Sequence, residues 1–189
     1  QRQMCIRDRL SVREQGNAKL IQELTGVELP ITIDPTLLVD TELWDSMIND
    51  DWERWNYIAI YQARPVKGDL NYLKKKALSL AKEMHCDIID LSSMKYSVED
   101  FISIIKYAKC VLTTSYHATV FSLLMETPCY AVKLGDGFDV RYVDLLTDLG
   151  LESELVEKDF NPKPLNIDFT GIKERIKKYR QSSVEYLSL

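Results

Sequence analysis

The chain has 189 residues, with 24 Lys plus Arg against 29 Asp plus Glu and a formal net charge of -5. Its 46% hydrophobic and 28% charged residues, with only 7 Gly and 6 Pro, exclude collagen-like and disordered classes and fit one domain rather than two. The acidic balance argues against a nucleic-acid partner, and no apolar run approaches the roughly 18–20 residues of a membrane-spanning helix.

Residues 1–9 (QRQMCIRDR) lack capping or periodic logic. They are read as an unpatterned leader or the remnant of a missing N-terminal region, with residues 10–189 as the domain. Residues 10–13 form a short extended segment, and residues 15–25 place Leu20, Ile21 and Leu24 on one helical face that Gly26 ends. Residues 29–33 (LPITI) read as a strand entering an Asp34-Pro35 break, and Thr41 reads as the cap of a helix carrying Trp44. A buried strand follows at 57–61 (YIAIY), then a polar loop at 62–68. Asp69 is placed to cap a helix over 70–84. A strand at 86–91 and a Ser97-capped helix come next. The strand at 110–114 runs at once into a helix over 116–126. A strand at 129–134, a Gly-Asp-Gly turn and a helix over 139–149 follow. A short extended piece at 151–156, a surface segment at 159–170 and a last helix over 171–187 complete the chain.

Short apolar strands alternate with helices of 10–15 residues. This predicts an α/β, Rossmann-like three-layer domain with a mostly parallel sheet of five or six strands. Neither GxGxxG nor GxxxxGK[ST] is present. In such sheets ligands lie beyond the carboxyl ends of the strands, so polar residues at strand–helix junctions are the candidates.

The sharpest junction is Thr113-Thr114-Ser115-Tyr116-His117. A helix N-terminus with the Thr114 and Ser115 hydroxyls can cradle a phosphate or carboxylate, and His117 can donate to it. The bland alternative makes Ser115 only a cap. Arg13 is either a ligand-facing guanidinium or half of an ion pair with Glu14. Lys133 ends a strand. Arg141 opposes the dipole of its own helix, so a ligand, Asp139 or Asp144 should compensate it. Asp34 is read as a turn former, and His85 as a helix-end residue. Trp44 is expected in the core and Trp52 with Trp55 in a satellite cluster, a sugar platform being the lesser reading. The four cysteines, Cys5, Cys86, Cys110 and Cys129, are never closer than 19 residues. No metal site is expected, and a reduced, cytoplasmic setting is.

Taken in order, SVREQGNAKLIQELTG, ITIDPTLLV followed by Trp44, YIAIY, VLTTSYHATVFSLLMETP, GFDVRYVDLLTDLGL and the terminal RQSSVEYL resemble the C-terminal part of the polysaccharide pyruvyl transferases, over roughly residues 10–187. The resemblance implies one lobe of a two-lobed fold like that of GT-B glycosyltransferases. It implies phosphoenolpyruvate as donor substrate and a sugar hydroxyl as acceptor, with no tightly bound cofactor. By that analogy Arg13 and His117 are catalytic and face the donor, with Thr114, Ser115, Lys133 and Arg141 binding it. The family's Gly after His is Ala118 here, whose methyl could crowd an anion. The missing N-terminal lobe would supply the acceptor side, and the chain alone is expected to be inactive. Self-association stays open. The rival readings are a nucleotide-sugar-dependent GT-B lobe and a non-catalytic Rossmann-like binding domain.

Overall fold

The computed structural model describes residues 10–66, 68–93 and 95–188. The reading of residues 1–9 as a leader, and Cys5 with it, lies outside the described residues. Five strands form one sheet: β1 (Tyr57–Tyr61), β2 (Asp87–Asp90), β3 (Val111–Thr113), β4 (Cys129–Val132) and β5 (Leu155–Val156). Their order is β2-β1-β3-β4-β5, and every pairing is parallel. The expected α/β architecture with a parallel sheet is therefore observed. The chain order reverses between β1 and β3, which is the switch point where ligands bind in doubly wound sheets of this order.

The helices are α1 (Gln15–Thr25), α2 (Pro35–Leu38), α3 (Thr41–Asp45), α4 (Tyr72–Met84), α5 (Val98–Tyr107), α6 (Tyr116–Leu124), α7 (Val140–Asp148) and α8 (Ile172–Ser188). Strand alternation divides the core. Tyr57, Ala59, Val111, Cys129 and Ala131 face one layer with Ile102, Ile105, Val120 and Leu146, from α5, α6 and α7. Ile58, Ile60, Leu112 and Val132 face the other, against Leu73, Ala77 and Leu80 of α4 and the segment carrying Phe160 and Leu165. Each layer removes a continuous apolar face from water, the main source of stability in such a sheet.

Three local expectations change. The strands read at 10–13 and 29–33 reduce to a single parallel bridge, Val12 to Ile31. Pro30 accepts from Val12 N–H at 3.1 Å but has no N–H to return, so the ladder stops there. The cap of α3 is Asp40, whose carboxylate takes the Thr41 N–H, and the helix ends at Asp45. Helix α4 begins only at Tyr72, because Asp69 accepts from Asn71 N–H and Lys75 in a turn of its own. Other readings hold. Ser97 caps α5 by accepting from Asp100 N–H at 3.0 Å. His85 closes α4 in the left-handed region. Trp44 packs edge-on against Phe121 as expected, but Trp52 and Trp55 form no satellite cluster: Trp52 packs edge-on against Tyr57 and Tyr96 at the core, and Trp55 is exposed. No helix among the described residues is long and apolar enough to cross a membrane.

One carboxyl sits wholly inside the core. Glu154, in the 3-10 turn before β5, accepts from Cys129 N–H at 3.2 Å through one oxygen, and its other oxygen is buried without a partner. Burial pushes its pKa up to about 8. The folded value then exceeds the unfolded one, so the carboxyl's contribution is complete below about pH 4.5 and declines as the pH rises toward 8. Urea unfolding should show a loss of up to about 5 kcal/mol across that window. The Glu154→Gln protein should lack this part of the slope.

Candidate functional site

The site begins at the ends of β1 and β3, where Tyr61 pairs with Thr113. Thr113 Oγ1 donates to the Tyr61 carbonyl at 2.8 Å and accepts from Ser115 N–H at 2.9 Å, which turns the chain sharply into α6. Ser115 caps that helix through Ala118 N–H. The N–H groups of Tyr116 and His117 lie in the first turn, where a helix has no internal acceptors. His117 is exposed at this end and meets the Tyr116 ring edge-on. Thr114 is buried, and its hydroxyl accepts from Arg64 N–H at 3.2 Å.

Ala118 points the other way. It is fully buried within the core layer that holds Val120 and Leu146, so its methyl leaves the mouth of the crevice clear.

Around the rim, Arg13 and Arg141 converge on one oxygen of Asp34, at 2.6 and 2.8 Å. The other oxygen of Asp34 accepts from Thr36 N–H at 2.9 Å and so caps α2. Arg141 Nε also pairs with Glu14 at 2.9 Å, and its guanidinium lies 3.9 Å from the centre of the Tyr116 ring. The compensation for Arg141 thus comes from Asp34 and Glu14. Asp144 makes no ion pair with Arg141, and Asp139 belongs to a second cluster. Glu14 pairs with Arg141 rather than with its neighbour Arg13. The Asp34 side chain is 2% exposed while that of Arg13 is 50% exposed, so a buried carboxylate presents a half-open guanidinium to solvent. Burial raises the Asp34 pKa, but hydrogen bonds from Thr36 and the Arg13 charge outweigh it, and the net shift is downward.

Beside this cluster lies a cleft of about 310 Å³ lined by Arg13, Asp34, Tyr116, Arg141, Asp144 and Ser183. One Asp144 oxygen is buried there without a hydrogen-bond partner. Lys133 stands apart from the cleft lining, paired with Glu157 just beyond β5.

The second cluster centres on Arg64, in the loop after β1. Its Nε and Nη2 donate to the Thr114 carbonyl at 3.3 and 3.2 Å, and Nη2 also reaches Asp139 at 3.0 Å. Its Nη1 pairs with Asp136. Asp139 further accepts from Gly135 N–H at 2.6 Å and from the Tyr142 hydroxyl. Burial raises the Asp139 pKa, but the bonds from Tyr142, Gly135 and Arg64 prevail and lower it. Arg64 therefore ties together the loops that follow β1, β3 and β4. Sequence reasoning grouped it with a polar loop. Its position directly beyond a buried strand was the available signal.

The structure thus brings Arg13 and Arg141 together beside the α6 terminus that carries Thr114, Ser115 and His117. A family model described as polysaccharide pyruvyl transferase matches residues 7–135. That stretch contains Arg13, Asp34, Arg64, Thr114, Ser115, His117 and Lys133, and it ends before α7 and Arg141. No curated protein and no solved structure gives a match.

Proposed function

Because the chain belongs to the polysaccharide pyruvyl transferase family, we propose that the crevice beyond β1 and β3 binds phosphoenolpyruvate and that this domain supplies the donor half of a pyruvyl transfer to sugar hydroxyls. The observation that carries this reading is the pair Arg13 and Arg141, held by the same Asp34 oxygen beside the first turn of α6. Phosphoenolpyruvate carries a carboxylate and a phosphate. Guanidinium forks suit the flat carboxylate, and first-turn N–H groups with the Ser115 hydroxyl suit the phosphate. Thr114 acts from beneath, by holding the turn. Lys133 is the outlying member, available to the donor once it leaves Glu157.

In this reading His117 is the general acid. It protonates C3 of the enol, which makes C2 electrophilic, and a sugar hydroxyl then adds to C2 and loses its proton. The C2–O bond to phosphate breaks and phosphate departs. A second hydroxyl closes the ketal and gives up its own proton. Cations and helix N–H groups stabilise the charge on the departing phosphate. The acceptor surface is assigned to a lobe outside residues 10–188.

Calorimetric titration with phosphoenolpyruvate tests the donor half directly. The chain should bind it, and Arg13→Ala should weaken binding roughly ten- to a hundredfold, the loss of one charge-assisted fork. Equal affinity in the variant, or a response only to nucleotide sugars, would sink the proposal.

A further inference from the structure

Arg64 differs from Arg13 and Arg141 in the way its partners are distributed. One edge of its guanidinium is anchored to the Thr114 carbonyl and to Asp139, whose side chain is 10% exposed. The other edge, Nη1, faces Asp136, whose side chain is 37% exposed. Asp136 sits between Gly135 and Gly137, both in the left-handed region that only glycine adopts freely. The same loop lays the Phe138 ring 5.8 Å from the guanidinium, with that ring 70% exposed to solvent on a loop tip. A buried carboxylate fixes the arginine, and a surface carboxylate on a pliable turn occupies its outward edge.

We infer that Arg64 is a further anion-binding residue of the crevice, its Nη1 edge taking a phosphoryl oxygen of the donor in place of Asp136. This deepens the donor-site reading above and rests on it for the identity of the ligand. The chemistry is an exchange of one oxyanion for another on the same guanidinium edge, so the arginine need not move and its charge is never uncompensated. The Thr114 carbonyl that Arg64 holds lies two residues before α6, so the guanidinium is tied to the turn that leads into that helix. A phosphate there meets a cation and a helix terminus together. Asp136 then acts as a resident competitor that keeps the site closed to weaker anions.

The competitor is what makes the inference testable. Asp136→Asn keeps the shape of the loop and an oxygen for Phe138 N–H, which Asp136 now accepts at 3.1 Å. Titrations with inorganic phosphate and with phosphoenolpyruvate should show this variant binding both roughly three- to tenfold more tightly than the parent chain. Arg64→Gln, alone or combined with Asp136→Asn, should lose at least about tenfold. Should Arg64→Gln fail to fold, the single Asp136→Asn comparison decides. Unchanged or weaker anion affinity in a folded Asp136→Asn protein overturns the inference, as does the absence of any phosphate binding. Arg13-dependent phosphoenolpyruvate binding that ignores Asp136 leaves the donor reading standing and removes Arg64 from it. A tightening seen for inorganic phosphate, with no preference for phosphoenolpyruvate, keeps Arg64 and removes the pyruvyl donor.

Discussion

Replacing Asp34 with alanine should destabilise the protein by about 2–3 kcal/mol, the sum of a lost helix cap and of charge-assisted hydrogen bonds to two arginines that stay partly in contact with water. Three roles end together. Arg13 and Arg141 lose the oxygen they share, and α2 loses its cap. Asp34→Asn separates the roles, because the amide oxygen can still accept from Thr36 N–H. It should recover about 1 kcal/mol, the value of a cap. The pH dependence follows from the lowered pKa of Asp34. Its folded value lies below the ordinary aspartate value of 3.8, so the contribution is present above that pH and is lost as the pH falls through the folded value. Equilibrium denaturation of the parent chain and both variants, at neutral pH and below pH 4, measures each part. Variants as stable as the parent would show that the arginines are held by something else.

His117→Ala should lower pyruvyl transfer by two to four orders of magnitude in a protein that also carries the acceptor-binding lobe, the usual contribution of a general acid. The loss should fall on kcat, with phosphoenolpyruvate affinity changed little, since His117 is exposed at the helix end and the arginines carry most of the donor's charge. His117→Gln, which donates a hydrogen bond but no proton, should bind the donor and remain slow. A wild-type rate in either variant would leave the histidine a surface residue and move the proton source elsewhere.

Much of this arrangement was legible from residue patterns because it depends on near neighbours. The strand YIAIY, the Ser97 cap and the immediate passage from Thr113 into α6 each declare themselves within a few positions. So did the placement of Arg13, Thr114, Ser115 and His117 at junctions. The partners of the charged residues were less legible. Arg141 is compensated by Asp34, 107 residues away, and not by the aspartates on its own helix or cap. Arg64 takes its partners from 50 to 78 residues away, so its place just beyond β1 marked it only as a junction residue and gave no sign of those partners. Asp34 was read as a turn former, which it is. Its second oxygen carries two arginines, a role that appears only once the chain returns through α7. The side on which Ala118 buries its methyl likewise depends on how α6 packs, which its spacing in the sequence does not reveal.

In the proposed function one crevice, beyond β1 and β3, receives phosphoenolpyruvate. Backbone amide shifts recorded by NMR during a phosphoenolpyruvate titration test it most directly. Saturable changes are expected to concentrate at Arg13, Arg64, Thr114 to His117 and Arg141. Changes confined to other surfaces, or produced at these residues by a nucleotide sugar and not by phosphoenolpyruvate, would contradict it.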